Sequence, residues 1–120
     1  MAVKRIVANI AALQPGAARS FYCDILGLEA VMDDGWIVTL AAPEIAARPQ
    51  VSIASEGGSG TAVPDLSVEV DNFEEVWQRA ERAGLKLEYG PADEPWGVRR
   101  FYVRDPFGRL INVLTHSDGA

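Results

Sequence analysis

The chain is poor in the residues that most often carry chemistry: one cysteine, one histidine, and eleven lysines and arginines set against seventeen aspartates and glutamates. A lone Cys23 cannot form an intramolecular disulfide, so nothing asks for an oxidising compartment and the cytoplasm is the expected location. Catalytic signatures are missing too. There is no G-x-S-x-G elbow, no H-E-x-x-H and no paired-cysteine motif, which removes the chemistries those spacings support. Gly57-Gly58-Ser59-Gly60 superficially suggests a phosphate cradle, but no lysine follows it and it opens no helix, so it reads as a flexible connector. The apolar stretch after Met1-Ala2-Val3-Lys4-Arg5 is broken by Asn9 and then by Gln14-Pro15-Gly16, so neither a secretory signal nor a membrane segment is expected. A net charge of −6 repels phosphate backbones and anionic lipid, which argues against nucleic acid and membranes as partners. Arg99, Arg100, Arg104 and Arg109 crowd near the C-terminus, leaving the remaining surface more acidic and suited to cationic ligands.

What is present is a pattern that runs twice through a length suited to one compact domain. Residues 6–13 are β-branched and small apolar, predicting a strand that ends at Gln14-Pro15-Gly16. Ala18, Phe21, Tyr22 and Ile25 then recur at helical spacing, and Gly27 stands where a left-handed cap would stop the helix. Residues 28–32 and 36–40 read as strands joined by the Asp33-Asp34-Gly35 turn, and residues 51–55 as a short further strand.

In the second pass Leu66, Val68 and Val70 alternate with Asp65, Ser67 and Glu69, the period of a half-buried strand. Asp71 or Asn72 offers an N-cap, with Glu74 and Glu75 in the first turn where the helix dipole favours anions. Phe73, Val76, Trp77 and Ala80 share one helix face that stops at Gly84. Residues 85–89, 98–104 and 110–115 supply three more strands, with Asp105-Pro106-Phe107-Gly108 turning between the last two.

Each pass therefore reads strand, helix, strand, strand, strand, and Gly27-Leu28-Glu29 aligns with Gly84-Leu85-Lys86, each just after its helix. This predicts an α+β fold of two tandem βαβββ modules, about residues 1–57 and 62–120, joined by the Gly/Ser connector into a single domain, since about 60 residues alone make a marginal core.

With these residues placed, the chain resembles the vicinal-oxygen-chelate superfamily, which includes glyoxalase I, extradiol dioxygenases, fosfomycin-resistance enzymes and bleomycin-resistance proteins. Phe21-Tyr22-Cys23-Asp24-Ile25-Leu26-Gly27 is similar to the family's F-Y-x-D-x-L-G helix end, and Asp105-Pro106-Phe107-Gly108 to its D-P-x-G turn. Pro95-Trp96-Gly97 followed by Arg99, Phe101 and Asp105-Pro106 is similar to the bleomycin-resistance branch. The resemblance implies curved mixed sheets around a cleft, helices on the convex side, and a homodimer. Strand alternation divides the faces the same way. It turns Asp65, Ser67, Glu69, Leu110, Asn112 and Leu114 toward the cleft, and sends Val7 and Asn9 inward if Ile6, Ala8 and Ile10 pack under the first helix.

Metal-dependent members of the family hold an ion with His, Gln or Glu at four cleft positions. The resemblance puts those positions on Val7, Asp65, Asn112 and near Ser52 or Ala54. A valine has no donor, and one carboxylate, one neutral amide and a hydroxyl bind a divalent ion poorly, so no metal and no cofactor are expected. Losing the ion removes the family's electrophilic stabilisation of an enolate or oxyanion. His116 follows the last predicted strand and reads as a solvated tail residue.

The candidate ligand-binding residues are Trp36, Trp96, Asp65, Asn112, Tyr102, Arg100, Asn9 and Glu69. Trp77 lies on the apolar helix stripe and reads as core. Trp36 opens a strand after a turn and Trp96 sits in the Pro95–Gly97 loop, where an indole serves either as a flat ligand platform with one donor or as a loop anchor. In the bleomycin-resistance pattern, aromatic residues at such places sandwich a planar part of the drug. Arg100 and Arg104 share a strand face with Tyr102 and meet either an anionic ligand group or a carboxylate of the protein itself. Asp65 and Glu69 are either a carboxylate pair or solvated charges. The function expected is metal-free binding and sequestration of a small aromatic or cationic molecule. Two alternatives stand beside it: a lyase, isomerase or dioxygenase with an atypical metal site using Asp65 and Asn112, and an accessory dimer without a ligand.

Overall fold

A computed structural model describes residues 7–42 and 52–116. They form two compact units that divide between Ala54 and Ser55. In the first, a 3-10 turn at Pro15–Ala18 runs into a π turn at Arg19–Cys23. Proline suits the start, having neither a free φ nor an N–H to satisfy. The wide second turn shows in Asp24 and Leu26, whose N–H groups donate to the carbonyls of Arg19 and Phe21 at 3.0 and 3.2 Å. The four residues predicted from helical spacing, Ala18, Phe21, Tyr22 and Ile25, are buried, and Phe21 meets Tyr22 edge to face at 5.0 Å. Strands β1 (Glu29–Asp33) and β2 (Val38–Ala41) then form an antiparallel hairpin with an irregularity between Ala30 and Met32. Asp33 braces the turn: its carboxylate accepts the Gly35 N–H at 3.0 Å and Arg19 at 2.8 Å.

Two strands expected in this first module do not form among the described residues. Among the described residues neither 7–13 nor 52–54 joins a ladder; Ile6 and Val51 lie outside them. Strand preference measures how well a side chain fits a half-buried pleated surface, and without such a surface the β-branched run has nothing to favour it. Val7 is 50 % exposed and Ile53 92 %.

The second unit is a complete βαβββ module: β3 (Leu66–Glu69), α1 (Phe73–Arg82), β4 (Leu87–Asp93), β5 (Val98–Arg104) and β6 (Leu110–His116). Its mixed sheet has the order β3-β6-β5-β4, with β3 and β6 parallel and the other pairs antiparallel. One face packs on α1. Phe73, Val76 and Ala80 of the helix are buried with Phe101, Val103, Ile111 and Val113 of the sheet, and the Phe73 and Phe101 rings meet at 5.5 Å. Burying each of the larger of these side chains stabilises the fold by about 1.5–3 kcal/mol. The helix ends as predicted. Leu85 N–H donates to Ala80 at 3.1 Å and Gly84 N–H to Glu81 at 3.0 Å, and Gly84 supplies the positive φ this cap requires, 74°.

Local expectations need correcting at three places here. Asn72 occupies the N-cap position, but its side chain makes no cap bond and donates to Glu75 at 3.1 Å instead. Strand β4 continues through Gly90-Pro91 to Asp93, because it is the edge strand and irregular on both sides of Tyr89, where a missing N–H costs no ladder bond. Residues 57–61 are a closed turn of the second unit, with Gly57 N–H on Thr61 at 2.9 Å and Thr61 N–H on Gly58 at 3.0 Å. The Asp105-Pro106-Phe107-Gly108 turn forms as expected around a buried Asp105, whose carboxylate accepts the N–H groups of Phe107 and Arg109 at 2.9 and 2.8 Å. No helix among the described residues is long and apolar enough to cross a membrane.

Candidate functional site

The sheet face turned away from α1 carries the polar residues. Register places Ser67, Asn112, Tyr102 and Tyr89 in one row across the four strands, and Glu69, Leu114, Arg100 and Ala92 in the next. Of the residues predicted from sequence, Asn112, Tyr102, Arg100 and Glu69 come together on this face. Trp96 joins them from the loop between β4 and β5, and Asp65 stands just before β3.

Arg100 is buried and fully engaged, so the alternative of a salt bridge prevails over a free anion-binding group. Its Nε donates to Glu94 at 2.6 Å, and both side chains are 4 % exposed. One terminal nitrogen donates to Gly57 O at 2.9 Å and Tyr102 Oη at 3.0 Å; the other reaches Gly58 O at 3.2 Å. Glu94 in turn accepts Ser59 Oγ and Tyr89 Oη, each at 2.8 Å. Burial pushes the Glu94 carboxyl up, but the hydrogen bonds from Ser59, Arg100 and Tyr89 together with the Arg100 charge outweigh it and hold its pKa below the ordinary glutamate value. Tyr102 Oη also meets Thr61 Oγ1 at 3.0 Å and donates to Ala62 O at 3.1 Å. This network is why the glycine-rich segment is a folded turn: its carbonyls complete the hydrogen bonding of a buried cation.

Trp96 is 51 % exposed. Its ring centroid lies 5.1 Å from the Arg100 guanidinium carbon, and a Cβ on Gly58 would come within 2.7 Å of the indole. The indole therefore anchors the loop on one side and meets solvent on the other. Asn112 is 8 % exposed; its Nδ2 donates to Ser67 Oγ at 3.1 Å, while its covered carbonyl oxygen has no partner among the described residues. Asp65 is exposed and accepts the Leu110 N–H at 2.8 Å, tying β3 to β6. Glu69 pairs with His116 Nδ1 at 2.7 Å across the sheet, so His116 closes β6 and is not a tail residue. Arg104 binds Glu88 at 2.8 Å.

Trp36 and Asn9 belong to the first unit. Trp36 is 79 % exposed in the hairpin turn, and Asn9 is exposed, with its Nδ2 on Val7 O at 3.4 Å.

Sequence reasoning missed Glu94, Tyr89, Ser59 and Thr61. One signal was available: Arg100 stands mid-strand among Val98, Phe101 and Val103, and a cation buried there demands a carboxylate.

Three of the residues that the family resemblance puts at its metal positions, Val7, Asp65 and Asn112, offer a divalent ion a poor donor set. The Asp65 carboxylate already holds a backbone N–H, Asn112 offers a neutral amide, and Val7 offers no donor. Among the described residues no group of three His, Cys, Asp or Glu side chains converges. A shallow depression of about 470 Å³ opens on the helix side of the sheet, lined by Asp71, Phe73, Glu74, Arg99 and Thr115. Arg99 is held there by Glu74 at 2.8 Å and Asp93 at 3.2 Å.

Solved structures share this fold. TioX from Micromonospora sp. ML1 superposes with a TM-score of 0.63 at 20 % identity, covering 93 % of this chain and 95 % of its own. TnmS3, an antibiotic binding protein from Streptomyces sp. CB03234, gives 0.62 at 20 % identity, with 92 % and 100 % covered. A member of the glyoxalase/bleomycin resistance protein/dioxygenase superfamily from Sphaerobacter thermophilus DSM 20745 gives 0.65 at 22 % identity, with 97 % and 98 % covered. No curated protein matches the sequence. The family model of that superfamily matches residues 6–113. The βαβββ module of residues 66–116 and this match agree: the chain belongs to the Glyoxalase/Bleomycin resistance protein/Dioxygenase superfamily.

Proposed function

We propose that the protein binds and sequesters a small aromatic or cationic molecule without a metal ion, using the sheet face that carries Asn112, Ser67, Glu69 and Trp96. The observation that carries this reading is the buried Asn112 amide with its unpaired carbonyl oxygen. Leaving such a group unmet costs about 1–3 kcal/mol, which a ligand donor recovers once it displaces the side chains that cover the oxygen. Glu69 in the neighbouring row and the net charge of −6 favour a cationic donor, and the half-exposed Trp96 offers a planar surface. TnmS3, which shares the fold, is an antibiotic binding protein, and its likeness supports a small-molecule ligand. A homodimer in the cytoplasm is part of the same proposal.

The test is a thermal-shift and calorimetric screen against aromatic and cationic antibiotics, bleomycin among them, with metal content measured by mass spectrometry after purification without chelator. A compound that binds the wild type is expected to lose at least tenfold affinity in Asn112→Leu. That substitution removes an unpaired polar group from a buried site, so it is expected to leave the melting temperature unchanged or higher. A stoichiometric transition metal in the purified protein, or undiminished affinity in the variant, would overturn the reading.

A further inference from the structure

The strap at residues 57–61 lies over the Arg100 side of the polar face. Three of its five residues are glycine and none has a large apolar side chain to bury, so hydrogen bonds do most of the holding. The carbonyls of Gly57 and Gly58 accept the two terminal nitrogens of Arg100 at 2.9 and 3.2 Å, and Ser59 Oγ donates to Glu94 Oε1 at 2.8 Å. Thr61 Oγ1 meets Tyr102 Oη at 3.0 Å. Ser59 adopts a positive φ of 52°, which is unfavourable for a residue with a Cβ. The groups beneath hold one another without the strap. Arg100 Nε donates to Glu94 Oε2, one terminal nitrogen donates to Tyr102 Oη, and Tyr89 Oη donates to the same Glu94 oxygen. Their places are set by the antiparallel β4–β5 ladder, with Tyr89 opposite Tyr102 and Ala92 opposite Arg100. Lifting the strap returns water to an ion pair whose removal from water is costly, and this offsets part of the lost bonding. Such a segment belongs to the part of a fold that opens locally.

We propose that the strap is an internal ligand in a site built for a neutral, peptide-like group, and that its closure keeps that site from external molecules. Lifting it uncovers both terminal nitrogens of Arg100, Glu94 Oε1 and Tyr102 Oη. The fork of the guanidinium matches two neighbouring carbonyl oxygens, and the carboxylate oxygen matches a hydroxyl that follows them. Because Glu94 balances the charge of Arg100, the site asks for a neutral guest. Room is restricted as well: a Cβ on Gly57 would come within 2.5 Å of Tyr102 Oη, and one on Gly58 within 2.7 Å of the Trp96 indole. The guest is therefore two unsubstituted amide units followed by a hydroxylated one, the pattern that Gly57-Gly58-Ser59 itself supplies. Apart from Trp96 the site shares no residue with Asn112, Ser67 and Glu69, and it stands without ligand binding there.

The test uses the full chain and the strap's own sequence as a free peptide, acetyl-Gly-Gly-Ser-Gly-Thr-amide. In the wild type the Gly57 and Thr61 amides, which donate within the strap, are expected to exchange with deuterium at least about tenfold faster than the amides of the interior strands β5 and β6. Gly58→Val, whose side chain would meet the indole, keeps the strap from closing and leaves the groups beneath it untouched. Millimolar peptide, the range in which a short flexible tether presents its own segment, is expected to raise the melting temperature of this variant by a few degrees. It is also expected to return the Trp96 indole N–H resonance toward the wild-type position. Acetyl-Gly-Gly-Ala-Gly-Thr-amide, which lacks the hydroxyl, is expected to bind about tenfold more weakly; the wild type, its site filled, responds to neither peptide. If Gly58→Val does not fold, Ser59→Ala takes its place: it removes one strap bond and is expected to speed exchange at Gly57 and Thr61 about tenfold with β5 and β6 unchanged, and to gain the peptide response. Strap amides that exchange only together with β5 and β6 in the wild type, or a folded variant indifferent to the peptide, overturn the proposal. Equal binding of the two peptides overturns the hydroxyl match at Glu94 and with it the stated guest. None of these readouts depends on an antibiotic bound beside Asn112, so that reading fails or holds by itself.

Discussion

Removing the Glu94 carboxylate tests how the buried network is balanced. In Glu94→Ala the Arg100 guanidinium stays in a site where both partners are only 4 % exposed, and the hydroxyls of Ser59 and Tyr89 lose their acceptor. Breaking a buried ion pair from one side costs about 3–5 kcal/mol, because the remaining charge is left desolvated and uncompensated. That is a large share of a total stability on the order of 5–15 kcal/mol. For a chain of this size, at about 4 °C per kcal/mol, the melting temperature is expected to fall by about 12–20 °C. The double variant Glu94→Ala/Arg100→Met removes the charge along with its partner, and is expected to regain most of the loss. Calorimetric unfolding of the wild type, both variants and Arg100→Met at neutral pH completes the cycle. A loss below about 1 kcal/mol in Glu94→Ala would place the pair among exposed ones, which contribute that little. A double variant less stable than Glu94→Ala would mean that the network adds stability beyond its charge balance, and either result refutes the reasoning.

Acid should act through the same group. The folded-state pKa of Glu94 lies below its unfolded value, so the unfolded chain binds more protons, and the stabilisation is complete above about pH 4.3 and is lost as pH falls through the folded pKa. Melting temperatures between neutral pH and pH 3 are expected to fall less steeply in Glu94→Gln than in the wild type; parallel curves would assign the acid limb to other carboxylates, such as Asp33 and Glu88, whose values are also lowered. Asp105→Ala removes the acceptor of two backbone N–H groups at a buried turn and is expected to cost about 1–3 kcal/mol in denaturant unfolding, against a null effect if the Asp105-Pro106-Phe107-Gly108 backbone holds the turn unaided.

What could be read from the chain alone was whatever local spacing and chirality dictate. The period of Ala18, Phe21, Tyr22 and Ile25 named the buried helical face, the glycine at 84 marked a cap that needs a positive φ, and the alternation in β3 separated its two faces. These are short-range constraints, and they made the βαβββ module and its family legible. Tertiary structure decided the rest. Whether residues 7–13 pair, whether β4 can absorb a proline, and whether Gly57-Gly58 is a linker or a strap depend on which groups arrive from elsewhere in the chain. Arg100 shows the division most directly. Its strand position announced a face, but only folding brought Glu94, three aromatic rings and two strap carbonyls around it. A buried charge must be met by partners, and the sequence carries that demand without saying where they come from.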